Sequence, residues 1–188
     1  MMANTFFFGY GSLVNTRTHE HTPCHPARLA GWQRAWRQSP GREQAFLTVL
    51  PAEGVTLDGL IAGVEETAWE ALDAREFFYR RLDASDAVTS DVTPAPRIAL
   101  YSVPEEDAKP SDGTAPILLS YLDVVLQGYL DIFGEAGALR FFETTTGWET
   151  PILNDRAAPL YPRAQTLSAE ETAWIDDTLS ARSLVPTR

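Results

Sequence analysis

The sequence predicts an α+β fold, a small mixed and mainly antiparallel β-barrel flanked by helices. Strand-like segments dominate up to Val103 and most helical patterns come later, an order that points to segregated helices on an antiparallel sheet rather than to alternating βαβ units. At 188 residues, 44% hydrophobic and 11% aromatic, the chain has apolar material for one core without cross-links. It reads as one domain over residues 1–188, with a proline-bearing C-terminal extension from about residue 148 wrapping across the body.

The elements follow in order. "TFFFGYG", from Thr5, is a continuous apolar run ended by glycines, as in a strand covered on both faces. Residues 14–26 are a polar loop or a short helical turn. Three extended segments come next, "ARLAGWQRAWRQ", "AFLTVLPA" and "TLDGLIAGVE", separated by the turn chemistry of "SPGRE" and "EGVTLDG". Thr67 and Glu70 have capping-box spacing and open a helix that runs to about Phe77. "FFYRRLDASDAVTSDV" and "RIALYSV" return to strand character, rich in aromatic and β-branched residues. Residues 104–116 are an acidic, proline-bearing surface loop. Pro116 suits the first position of a long helix, "PILLSYLDVVLQGYLDIF", in which Leu118, Leu122, Val125, Leu126 and Tyr129 form a core-facing stripe. A shorter helix over "GEAGALRFFETTTGW" follows, then the irregular "ETPILNDRAAPLYPRAQ", and finally a helix over "SAEETAWIDDTLSA" with a Ser168–Glu171 capping box. Asp155 and Arg156 are expected to tie the wrapping segment down by hydrogen bonds.

Composition excludes several classes of partner. A formal charge of -11 disfavours nucleic acid and anionic membranes, which reward positive charge. The single cysteine, Cys24, precludes an intrachain disulfide and suits a reducing compartment. No apolar run approaches the ~20 residues of a membrane span, and "MMANTFFFGYG" lacks the positive leader region of a signal peptide. The expectation is a cytoplasmic protein with neither nucleic acid nor membrane as partner; its oligomeric state is left open.

The glycine turn after the first strand fits none of the common nucleotide or nucleophile motifs. A dinucleotide fingerprint would need Gly or Ala at Val14, a nucleophile elbow would need glycines at Tyr10 and Val14, and the only lysine, Lys109, lies in the acidic loop. "GYGS" is therefore either a backbone nest for an anion or an ordinary strand-ending turn. Further on, Trp69, Leu72 and Glu76 share one helix face, so Glu76 stands where an apolar residue belongs. A carboxylate facing a core costs several kcal/mol unless it is paired or sits in a cavity. Three readings remain: a buried salt bridge with Arg75, Arg80 or Arg81, a helix end that has already rotated to the surface, or a desolvated general base with a raised pKa. His19, His21, Cys24 and His25 are good ligand types crowded into one loop, but their spacing matches no tight zinc pattern, and a solvated loop is the plainer account.

Taken as a pair in this order, "FGYGSL" and "LDAREFFYRR" resemble the γ-glutamylcyclotransferase-like superfamily, which includes ChaC-type and AIG2-like cyclotransferases. The matching residues are Tyr10, Gly11, Ser12 and Leu13, then Leu72, Asp73, Glu76, Tyr79 and Arg81, and the likeness covers roughly residues 5–135. The resemblance implies a small β-barrel in which the glycine turn and the glutamate face one cavity. It implies an intramolecular reaction: the α-amine of a γ-glutamyl group attacks its own γ-carbonyl, closing 5-oxoproline and expelling an amine or peptide. Glu76 would be catalytic, and Tyr10, Gly11, Ser12, Leu13 and Tyr79 would bind the small-molecule γ-glutamyl substrate, with the tyrosine hydroxyls offering further bonds. No metal or cofactor is implied. "FGYGSLV" and "DARE" lean toward the glutathione-specific, ChaC-type branch. The glycine often found after the glutamate is Phe77 here, which would narrow the pocket mouth, and the C-terminal extension, outside the common core, would exclude glutathione if it covers the site, so the substrate is left open. The alternative is a non-catalytic small-molecule-binding or protein-interaction module on the same fold.

Overall fold

Three consecutive phenylalanines put the first strand, β1 (Thr5–Gly9), in the middle of the sheet. Because side chains alternate along a strand, Phe6 and Phe8 enter the main core while Phe7 enters a second cluster on the opposite face, and all three are buried. The computed structural model describes residues 5–187, so the first four residues of the N-terminal stretch read as lacking a signal peptide lie outside the described residues.

The strands that follow are β2 (Cys24–Arg37), β3 (Phe46–Gly63), β4 (Arg80–Asp83), β5 (Val88–Ser90), β6 (Arg97–Ser102), β7 (Ile117–Leu118), β8 (Thr145–Thr146) and β9 (Ile152–Leu153). The main sheet runs β4-β6-β1-β3-β2-β5, with β8 added beside β2, while β7 and β9 form a separate two-stranded piece. β1 pairs antiparallel with β3, Phe6 opposite Gly63, and parallel with β6, Thr5 opposite Arg97. The β2–β3 ladder is the longest, from Cys24 opposite Ala62 to Arg37 opposite Phe46. The helices are α1 (Trp69–Arg75), α2 (Leu119–Glu143) and α3 (Ala169–Ala181). None of the described helices is long and apolar enough to cross a membrane.

The architecture is α+β with a mainly antiparallel sheet, but the expected barrel is not formed: the sheet stays open, with β4 and β5 at its two ends. Only residues 84–87 separate those ends in sequence, a reach of at most about 18 Å, so the sheet curls strongly without closing. The two edge strands are short, β4 is largely exposed and β5 buries only Val88, so neither offers the length or the continuous apolar face that a closing ladder would need. The concave side is filled by α2, whose Leu122, Val125, Leu126 and Tyr129 pack in the same cluster as Phe6, Phe8 and Trp36, and by Ile175 and Leu179 of α3.

Four local expectations are corrected. The turn signal "EGVTLDG" does not divide two strands; β3 continues through it, and the irregularity is a register shift between Ala30 and Trp32, with Gly31 and Gly54 at positive φ. Thr67 does not cap α1, because residues Glu66–Ala68 form a 3-10 turn and the α-helix begins after it with no side-chain cap. Pro116 does not start α2 either: Ile117 and Leu118 first pair with β9, and the Ser120 amide is capped from a distance by Asp155. The two helices expected on either side of Gly134 are present and run together as α2, with non-helical backbone at that glycine (φ 66°), but the second ends at Glu143 and Thr145–Thr146 pair with β2 instead of extending it. The Ser168–Glu171 capping box forms as read, and Asp155 and Arg156 tie the C-terminal segment to α2 through Ser120 and Asp123.

Candidate active site

The glycine turn forms because the chain must double back at close quarters. A Cβ on Gly9 would lie 2.8 Å from the Leu13 backbone, and one on Gly11 would lie 2.7 Å from the Tyr121 hydroxyl. Val14 N–H donates to the Gly11 carbonyl and Asn15 N–H to that of Ser12, tightening Ser12–Val14 into a 3-10 turn. Asn15 then pins the turn to α2, donating to the Val124 carbonyl and the Gln127 side chain, each at 2.9 Å. The amides of Gly11 and Leu13 donate to no backbone carbonyl among the described residues.

On the other side stands α1, held to the sheet by Leu72, which is buried with Phe7, Leu13 and Tyr101. Glu76 is the C-cap of this helix: its N–H donates to Leu72 and its carbonyl accepts from Tyr79 N–H at 2.7 Å. The Glu76 carboxylate points toward the glycine turn with only 15% of the side chain exposed, and Arg75 Nε lies 3.0 Å from its Oε1. Arg75 in turn donates to the Thr18 carbonyl at 2.8 Å, which fixes the guanidinium behind the carboxylate. Thus one feature of the structural reading, the pair with Arg75, coexists with the cavity that the functional reading needs. Arg80 and Arg81 are paired elsewhere, with Glu106 and Asp73.

All six residues singled out from the sequence, Tyr10, Gly11, Ser12, Leu13, Glu76 and Tyr79, line one cavity, together with Phe8, Gly9, Leu47, Tyr101 and Tyr121. It is narrow, about 30 Å³, room for one or roughly two waters. A larger hollow of about 350 Å³ lies at the β4–β6 edge, but the charged groups lining it, Glu66, Arg81, Asp83 and Arg97, are exposed and nothing there perturbs a titratable group in a way that suggests chemistry.

Burial raises the pKa of Glu76 above the ordinary carboxylate value, against the smaller opposing pull of Arg75 and Arg163. Burial likewise drives the phenols of Tyr10, Tyr79 and Tyr121 well upward, so they stay neutral. The hydroxyls of Tyr10 and Tyr79, which the resemblance offers for bonds to the substrate, already donate within the protein. Tyr10 donates to the Tyr101 carbonyl at 2.7 Å and Tyr79 to that of Leu47 at 2.8 Å, so toward a ligand each can act only as an acceptor. His19, whose pKa is lowered to about 4 chiefly by burial, sits behind the turn with Nε2 3.1 Å from the Leu13 carbonyl. Its ring and that of His21 pack edge-on against Phe7, and among the described residues no group of three or more His, Cys, Asp or Glu could hold a metal ion.

Two contributors escaped the sequence reading. Tyr121 lies beside the stripe residue Leu122, and helical spacing alone could have included it. Arg34 carries no such signal. Its guanidinium is fully buried and donates to the Tyr10 carbonyl (3.0 Å), the Asp58 carbonyl (2.6 Å), Thr144 Oγ1 (2.7 Å) and the Tyr129 hydroxyl (2.5 Å), bracing the glycine turn from behind.

No protein-family model matches the chain, and no curated protein does. Solved structures do. The chain is similar to a structure described as gamma-glutamyl cyclotransferase at a TM-score of 0.61 and 16% identity, over 92% of this chain and 98% of that one. It is similar to YkqA from Bacillus subtilis at 0.59 and 17%, over 74% of this chain and 53% of that one. It is also similar to an uncharacterized protein, loc79017, from Homo sapiens at 0.58 and 15%, over 91% and 97%. At these identities the likeness is one of fold, and it agrees with the order of motifs in the sequence: this chain has the γ-glutamyl cyclotransferase-like fold.

Proposed function

We propose that this chain is a γ-glutamylcyclotransferase-like enzyme that converts a γ-glutamyl group to 5-oxoproline and releases an amine or peptide. The observation that carries the reading is the placement of one desolvated carboxylate, Glu76, in the same cavity as the Tyr10–Leu13 turn. The α-amine nitrogen forms a bond to the γ-carbonyl carbon, and the bond from that carbon to the leaving nitrogen breaks. The proton lost by the attacking amine passes to Glu76 and then to the leaving nitrogen, so the carboxylate is restored each turnover. Such general acid–base help is worth about 10²–10⁴ in rate. Backbone donors of the turn would hold the carbonyl oxygen as it gains charge, a role worth roughly 3–4 kcal/mol per donor in other acyl transfers. Holding the glutamyl chain folded supplies the remaining advantage, since attack within one molecule needs orientation more than activation.

A second reading, a non-catalytic binding or interaction module, is favoured by the narrowness of the cavity, about 30 Å³. A glutamyl group requires several times that volume, so productive binding must move side chains at the mouth. Release of 5-oxoproline from glutathione, γ-glutamyl amino acids and γ-glutamylamines tests the two against each other. Turnover of any class supports the enzyme and names its branch; a folded protein silent with all three favours the module.

A further inference from the structure

The C-terminal segment reaches the mouth of the cavity along a fixed route. Asp155, buried, accepts from the Ser120 amide (2.8 Å), the Ser120 hydroxyl (2.5 Å) and the Leu160 amide (2.9 Å). Arg156 grips Asp123 with two N–H donors, at 2.7 and 2.8 Å. These anchors set Tyr161 edge-on against Tyr121, with ring centroids 5.0 Å apart, and Tyr121 is a wall of the cavity whose hydroxyl lies over Gly11. The chain then turns, Ala164 N–H donating to the Tyr161 carbonyl at 3.1 Å, and Arg163 stands at the tip of that turn.

Arg163 is exposed and has no acidic partner among the described residues, and its charge is felt at Glu76. Phe77, which follows Glu76 in the chain, is 81% exposed. Arg75, by contrast, is spent on Glu76 and Thr18. The glutamyl half of a substrate must lie deep, where Glu76 and the buried turn can reach the γ-carbonyl; the leaving half therefore extends outward, on the side where Tyr161 packs on Tyr121 and the next turn carries Arg163.

We infer that Arg163, delivered by the C-terminal segment, is a specificity-determining residue that receives a carboxylate on the leaving group, so that γ-glutamyl amino acids and peptides are preferred over γ-glutamylamines. A guanidinium pairs with a carboxylate through two parallel N–H donors, a geometry that an uncharged amine cannot engage. The inference rests on the cyclotransferase reading above.

The test compares γ-glutamylalanine with γ-glutamylethylamine, which differ only by that carboxylate, and measures kcat/KM for both with wild type, Arg163→Gln and Arg163→Lys. Wild type is expected to favour γ-glutamylalanine. In Arg163→Gln the ratio of the two kcat/KM values should fall about tenfold, mainly through KM for γ-glutamylalanine, while Arg163→Lys should keep a substantial part of it. The removed charge also acts on Glu76, but both substrates use Glu76 alike, so the ratio isolates the leaving-group contact. A ratio unchanged in Arg163→Gln, or a wild type that favours the amine, overturns the assignment of Arg163 and leaves the cyclotransferase reading standing. No 5-oxoproline from either compound or from glutathione with folded wild type overturns that reading, and this inference falls with it.

Discussion

Arg34 donates through Nε to the carbonyl oxygen of Tyr10 at 3.0 Å, and no part of its side chain reaches solvent. A cation buried without a carboxylate partner is costly, and here it is offset by four hydrogen bonds and by the faces of Tyr129 and Phe141, 5.0 and 4.9 Å away. Arg34→Met should leave the carbonyls of Tyr10 and Asp58 competing for the Tyr129 hydroxyl alone, costing about 2–5 kcal/mol. Arg34→Lys should recover little, because an ammonium cannot span the same four acceptors. Denaturant unfolding measures both; a loss below about 1 kcal/mol in Arg34→Met would show that the turn does not depend on this brace.

The two glycines of the turn are expected to respond differently to a methyl group. Gly9→Ala meets backbone, the Leu13 carbonyl carbon at 2.8 Å, and should lower stability by roughly 1–3 kcal/mol. Gly11→Ala meets the tip of Tyr121 at 2.7 Å, which can swing away. Its cost in stability should be smaller and its effect on turnover larger, since the displaced ring is a wall of the cavity. Thermal melts beside 5-oxoproline release would separate the two; equal effects of both variants on both readouts would contradict this account.

Leu72 couples α1 to the sheet, so truncating it should affect both fold and site. Leu72→Ala is expected to cost about 2–5 kcal/mol, the range for a buried leucine that leaves a cavity. The same variant should also weaken turnover in molecules that remain folded, because α1 carries Glu76 at its end. A variant that melts early yet turns over normally would place the chemistry elsewhere.

The raised pKa of Glu76 has consequences of definite sign. As a base it must be ionised, so kcat/KM should climb with pH through a value above that of a free glutamate and level off beyond it. Arg163 pulls that value down, so Arg163→Gln should move the limb to higher pH. For stability, the folded chain holds the Glu76 proton more tightly than the unfolded chain, so this group's contribution is present at low pH and is lost as pH rises through the folded value. Glu76→Gln should remove that loss and leave the protein relatively more stable near neutrality. A pH–rate limb at the ordinary carboxylate value, or a Glu76→Gln variant destabilised at neutral pH, would contradict the assignment.

Much of the fold is legible in local patterns because local rules decide it. Phe6–Phe8 form a strand buried on both faces, and the stripe from Leu122 to Tyr129 forms a core helix, while Leu118, counted in that stripe, belongs to β7. Where distant chain intervenes, local rules fail. Thr67 has the right spacing to cap α1, but the preceding 3-10 turn shifts the start of the helix; Ser120 has no local cap and borrows Asp155 from 35 residues away. Closure of the sheet depends on whether β4 and β5 pair, which neither strand encodes by itself. The site divides in the same way. Gly11 and Glu76 advertise themselves, a glycine turn after a strand and a charge on an apolar face, and Tyr121 could be added from helical spacing, while Arg34 and Arg163 matter only through neighbours that folding brings to them.

The central claim is that Glu76 moves the proton. The most direct test is 5-oxoproline release by wild type and Glu76→Gln, assayed with a γ-glutamyl substrate that wild type turns over, with substrate binding to the variant measured in parallel. The account predicts binding within a few-fold of wild type and release reduced by at least about 10². A Glu76→Gln protein that binds and releases at near wild-type rates would contradict it, because an amide at that position cannot take up the proton of the attacking amine.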